Sequence, residues 1–104
     1  MNMMKLMQQA QQLQARAKKI QEEIARREFS ASAADGKIQV TLSGEGEMLA
    51  LRIDPEWLRE TPDVEMVADF IVMASREAFQ KGRQAIQQEM GQLTAQLGLP
   101  PGLF

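Results

Sequence analysis

Residues 37–58, KIQVTLSGEGEMLALRIDPEWL, decide the fold. Ile38, Val40 and Leu42 alternate with Gln39, Thr41 and Ser43, the period-two pattern of a strand with one buried face. Gly44–Glu45–Gly46 interrupts the run as a turn, and Leu49, Leu51 and Ile53 resume it on one face. Asp54 then suits a helix N-cap, Pro55 the first helical position, and Glu56 the positive end of a helix dipole. Upstream, Phe29, Ala31 and Ala33 alternate with polar residues in EFSASAA (28–34), and Asp35–Gly36 signals a two-residue hairpin. Three antiparallel strands in meander order follow, with one apolar face. That face needs a cover, and only helices are available to provide it.

The flanks supply those helices. Residues 6–27, LMQQAQQLQARAKKIQEEIARR, contain no Gly or Pro and consist of good helix formers. Met3, Leu6, Ala10, Leu13, Ala17, Ile20 and Ile24 recur at alternating spacings of three and four, an a/d seam of about three heptads. The seam asks for a partner helix, as a coiled coil within the chain or between copies. Downstream, Thr61–Pro62–Asp63 ends the short helix, and a second long helix runs from Val64 to near Leu97. Its first part, MVADFIVMASREAF (66–79), is apolar on more than one face and belongs under the sheet. Its second part, QKGRQAIQQEMGQL (80–93), is as polar as the first helix, and Gly82 and Gly91 weaken it by roughly 1 kcal/mol each if exposed. The tail cannot stay helical through Pro100–Pro101. Residues 98–104 are either a docked hydrophobic strap or a mobile end. Trp57 reads as an anchor beneath the sheet edge, and Met3, Met4 and Met7 as packing or an adaptable surface.

The fold class is therefore α+β in a single domain spanning residues 1–104: long helix, three-stranded antiparallel meander, short helix, long helix. A chain of 104 residues buries a modest core, so sharing it with a second copy would help. The absence of cysteine and histidine excludes disulfides and thiolate chemistry, and removes the commonest metal ligand and the usual neutral-pH acid–base group. Asp35, Glu45, Glu47, Asp54, Asp63 and Glu65 stand singly in turns and helix starts, and Gly44–Glu45–Gly46 lacks the strand–loop–helix context of a phosphate loop. No enzyme activity, cofactor, metal or small-molecule substrate is expected. The longest apolar run is too short to span a bilayer and the start lacks a signal-peptide pattern, so a cytoplasmic protein without a membrane partner is expected.

The net charge of −2 hides a segregation. Residues 1–27 carry six basic and two acidic side chains, residues 28–75 three and ten, and residues 76–104 three and two. The flanks are positive and the middle strongly negative. Lys5, Lys19 and Arg26 share one heptad position, with Lys18 beside them. Ordinary i,i+4 pairing accounts for some of these charges, through Lys18–Glu22, Lys19–Glu23, Glu22–Arg26, Glu23–Arg27 and Glu77–Lys81. Lys5, Arg16, Arg76 and Arg83 have no acidic neighbour at three or four residues and are freest to meet an external anion.

Four stretches together, LMQQAQQLQARAKKIQEEI, VTLSGEGEMLALRIDPEWL, ASREAFQKGRQAI and GLPPGLF, resemble the YbaB/EbfC family of bacterial nucleoid-associated proteins. The likeness covers nearly the whole chain in order, and the Ile-Asp-Pro and Pro-Pro-Gly signatures carry its specificity. It implies a tweezer-like homodimer with an α-β-β-β-α core and projecting long helices. It further implies binding of double-stranded DNA with little sequence preference, altered DNA conformation, and a place in nucleoid organisation and gene regulation. Carried over by element and charge, the DNA contacts fall on Lys5, Arg16, Lys18 and Lys19 of the first helix and on Lys81 and Arg83 of the last. The last helix is sparing with basic residues, and Gly82 stands where an Ala-like contact is expected. The alternative is a non-catalytic dimeric adaptor whose arms bind another protein.

Overall fold

The computed structural model describes residues 2–60 and 62–98. The element order is α1 (Met3–Ala25), β1 (Glu28–Ala33), β2 (Ile38–Ser43), β3 (Met48–Ile53), α2 (Pro55–Glu60) and α3 (Val64–Gln96). Each element stands where the sequence places it, with α1 shifted a few residues towards the N-terminus. Asn2 causes that shift: its side-chain Oδ1 accepts from the Met4 and Lys5 amides at 3.1 and 3.4 Å, so the helix starts directly after it. The tail beyond Gly98 lies outside the described residues.

The three strands form one antiparallel sheet in the order β1-β2-β3. Ala33 opposes Ile38, Ala31 opposes Val40 and Phe29 opposes Leu42, and the paired ends are joined by four turn residues, 34–37, rather than by the expected two. Asp35 and Gly36 are the central turn residues, both with positive φ (53° and 84°), and the Lys37 amide closes the turn on the Ala34 carbonyl at 3.1 Å. Ala34 itself has φ 53°, which takes it out of the ladder. Between β2 and β3 the register shifts: Thr41 opposes Ala50 but Leu42 opposes Met48, leaving Leu49 as the extra residue of a bulge. The plain Leu49–Leu51–Ile53 alternation is therefore corrected at its start, because the bulge brings Met48 opposite the core residue Leu42.

The core lies between the sheet and the first half of α3. Val40, Leu42 and Ala31 bury their side chains against Ala74 and Ala78, and Ile38 is fully buried as well. These small helix residues let α3 lie close to the strands. Gly82 extends that close approach, with the Phe29 ring 3.5 Å from where a Cβ would stand. The cover is incomplete, and here the expectation from pattern needs correction. An α-helix is about 10–12 Å wide with side chains, whereas three strands at about 4.8 Å spacing need more. α3 packs on β1 and β2. Met48, Leu49 and Leu51 of β3 stay 46%, 47% and 42% exposed.

Asp54 caps α2 as expected, its Oδ1 accepting from the Glu56 and Trp57 amides at 2.9 and 3.1 Å. Trp57 is half-buried and meets Phe70 edge-on at a centroid distance of 6.3 Å, so it anchors α2 to α3. The second half of α3 leaves the sheet and packs antiparallel to α1. The result is elongated, 70 × 21 × 17 Å with a radius of gyration of 19.5 Å, where a compact domain of this length has about 13 Å. A hub and a projecting two-helix arm account for that shape.

Candidate nucleic-acid interface

The arm is built on the predicted seam. Ile24 is buried at its base, and Ala17, Leu13 and Ile20 are half-buried against α3, whose Met90, Leu93 and Thr94 are buried in turn. The seam is uncovered towards the tip, where Leu6 is 48% and Met3 74% exposed. At its base α1 is tied to the hub by close backbone approach. The Gly44 amide donates to the Arg27 carbonyl at 3.0 Å, and a Cβ on Gly44 would overlap the Ile24 carbonyl. Arg27 makes a second tie, pairing with Glu89 at 3.5 Å while its guanidinium lies 5.3 Å from the Phe29 ring centroid.

The expected contact residues divide into three sets. At about 100° per residue, Lys5, Arg16 and Lys19 fall within about 60° of arc on one flank of α1. Arg16 and Lys19 line an open groove of about 450 Å³ between α1 and α3, together with Gln92, Gln96, Glu23 and Glu89. Lys18 lies on the opposite flank, in a groove of about 600 Å³ that it shares with Arg26, Glu22 and Glu45. Lys81 and Arg83 sit on α3 near the hub. The Lys81 Nζ donates to the Ser30 carbonyl at 2.7 Å, so this ammonium is tied to the sheet rather than carried on the outer arm.

None of the i,i+4 charge pairs read from the sequence closes as an ion pair among the described residues. Arg27 takes Glu89 of α3 instead of Glu23, and the other ion pair joins Lys37 to Asp54 at 3.6 Å. Lys18 and Lys19 are thus exposed, with no carboxylate partner among the described residues. From Asn2 to Gln21, α1 carries four cations and no acidic residue, and α3 has no charged residue between Gln92 and Gly98. Among the described residues, the charged groups of the outer arm are therefore ammonium and guanidinium, set among amides and with no carboxylate. The ten acidic residues of positions 28–75 occupy the strands, turns, α2 and the start of α3. Sequence reasoning found the cations of α1. It missed the Gly44 contact and the Arg27–Glu89 strut, which set the direction of the arm.

The hydrogen bond from the Trp57 amide is the largest effect on Asp54; it outweighs desolvation and, with smaller contributions from the Glu56 amide and Lys37, holds the carboxyl below the usual aspartate range. This carboxylate is a cap and not an acid–base group. Among the described residues no three carboxylates converge to hold a metal ion, and no helix is long and apolar enough to cross a membrane.

Known proteins are similar to this chain. A nucleoid-associated protein of Brucella ovis is 45% identical over 101 residues, covering 97% of this chain and 94% of its own. A nucleoid-associated protein of Brucella anthropi is 44% identical over the same shares. The crystal structure of an uncharacterized protein from Helicobacter pylori superposes with a TM-score of 0.65 at 18% identity, covering 93% of this chain and 97% of its own, and it shares the fold. The model of the YbaB/EbfC DNA-binding family matches residues 1–97. With a basic outer arm, an acidic hub and a match across nearly its whole length, this chain belongs to the YbaB/EbfC DNA-binding family.

Proposed function

We propose that the protein acts as a homodimer that grips double-stranded DNA between its projecting arms, with little sequence preference, as a nucleoid-associated protein of the bacterial cytoplasm. The observation that carries this reading is the separation of charge along the molecule. Cations and amides lie on the outer arm, and carboxylates on the hub. Lys5, Arg16 and Lys19 on one flank, with Lys18 on the other, meet phosphates, and Gln8, Gln9, Gln11, Gln12 and Gln14 donate to phosphate or sugar oxygens. Lys81 and Arg83 contribute at the root of the arm, Lys81 after releasing Ser30. Contacts of this kind position a duplex without reading bases. The acidic hub repels the duplex and confines it to the arms. Held between two rods, DNA changes conformation, which supports a part in nucleoid organisation and gene regulation.

The dimer is supported by the uncovered apolar surface of the hub. Met48, Leu49 and Leu51 line an edge strand, and Phe79, beside the Gly46 turn, continues the patch onto α3. A second copy would bury these side chains.

Gel-shift titrations on unrelated duplexes across a salt series test the reading. With about five phosphates neutralised, affinity falls roughly 10²–10³-fold between 50 and 200 mM salt. A flat salt dependence sinks it. The exposed Met3, Met4 and Met7 favour one other reading, a dimeric adaptor whose arms hold another protein. The double substitution Lys5→Glu and Arg16→Glu separates the two. DNA binding lost from an intact dimer supports the first, and loss of a protein partner alone supports the second.

A further inference from the structure

We infer that the groove between α1 and α3 seats one backbone phosphate of the duplex across both helices, with Gln92 and Gln96 as its donors from α3 and Glu23 as the stop that fixes its place along the arm. The site rests on the DNA binding proposed above and adds residues that carry no positive charge. α1 and α3 run antiparallel. From tip to hub, one wall of the groove therefore runs Arg16, Lys19, Glu23 and the other Gln96, Gln92, Glu89. On each wall the spacings are three and four residues, which keeps the three side chains on one helix flank over about 10 Å. Leu93 is buried and Ile20 half-buried between the walls, so the groove has an apolar floor and polar sides.

Charge changes sign along these walls. The outer part offers a guanidinium, an ammonium and two carboxamides, and the inner end holds two carboxylates. Arg27 engages Glu89 at 3.5 Å, whereas Glu23 has no cation at ion-pair distance among the described residues. A phosphate in the outer part takes paired N–H bonds from Arg16 and the charge of the Lys19 ammonium. The exposed carboxamides of Gln92 and Gln96 donate to its remaining oxygens from the facing helix. One turn further in, the same phosphate meets the Glu23 carboxylate as a like charge. Glu23 also competes with it for Lys19, four residues away on the same flank. The scarcity of basic residues on α3 does not exclude that helix from the contact, because amide donors serve in their place.

Fluorescence anisotropy of a labelled duplex with the full-length protein, titrated across about 50–200 mM salt, tests the site. Gln92→Ala combined with Gln96→Ala is expected to weaken binding at least about fivefold with an unchanged salt slope, since donors are lost and charge is not. Alanine is the stronger helix former, so the arm keeps its helix. In an Arg16→Gln background the same pair should cost less than about twofold, because the three residues act on one phosphate. Glu23→Gln should tighten binding about fivefold, and Glu60→Gln, the same change of charge on the hub, less than about 1.5-fold. Wild-type affinity in the Gln92 and Gln96 double variant overturns the site. So do equal gains from the two glutamate variants, or fully additive losses with Arg16→Gln. Each of these leaves the DNA reading standing as long as the wild type binds, whereas a wild type that binds no duplex sinks both.

Discussion

Gly44 shows how one residue sets the direction of the arm. Its missing side chain lets the β2–β3 turn touch the last turn of α1, carbonyl against Cα. Gly44→Ala forces backbone against backbone, so neither side can give by rotating a side chain. It is expected to destabilise the fold by roughly 1–3 kcal/mol, read from urea unfolding. An unchanged midpoint would show that the contact is looser than described. Asp54 makes a different prediction. Its folded pKa is depressed, so its stabilising effect is present above the usual aspartate range and lost as pH falls through the folded value. Asp54→Asn keeps a capping oxygen but removes the charge. The stability gap between variant and wild type is therefore expected at pH 7 and should narrow below about pH 4. A gap that stays constant with pH would mean the charge plays no part. The cap was legible from Asp54–Pro55, whereas Gly44 looked like an ordinary turn glycine. Nothing local indicates which carbonyl will stand beside it.

Element by element, local pattern and tertiary packing contribute unequally. The two long helices and the hairpin turn follow from periodicity and turn chemistry. In α3, however, two glycines with the same propensity cost have different surroundings. Gly82 is buried beside the Phe29 ring, and Gly91 is exposed with nothing within 4 Å of a built Cβ. Gly91→Ala should stabilise the arm by about 1 kcal/mol, raising the melting temperature by about 4–8 °C. A drop would reveal a contact at that site. β3 was read correctly as a strand and wrongly as covered, because its pattern cannot report the width of the helix beneath the sheet. The charges of α1 were legible as cations, but their partners were not. Arg27 reaches across to α3, and Lys81 to a strand carbonyl, through contacts that sequence spacing does not display.

The whole molecule is defined by what it leaves uncovered. An elongated chain with an apolar edge strand is suited to association. Sedimentation equilibrium is expected to give a mass of two chains at micromolar concentration. Leu51→Asp, at an exposed site in the single chain, should weaken the dimer at least about 100-fold while leaving helical content intact. A wild-type protein that stays a single chain at tens of micromolar would exclude the paired-arm geometry. Charge segregation acts at this same scale. It was visible as a count along the chain, and it became a positive arm and a negative hub only once the helices projected.

The sequence by itself determined the element order, the strand register at the first hairpin, the helix caps and the sign of the charge on each segment. All of these depend on residues near one another in the chain. Only the tertiary structure decided that one helix covers two strands and leaves the third bare, that Gly44 abuts α1, and that Arg27 and Lys81 turn to Glu89 and the Ser30 carbonyl. Those outcomes depend on the widths of packed elements and on distances between residues far apart in sequence, which periodicity and composition do not encode.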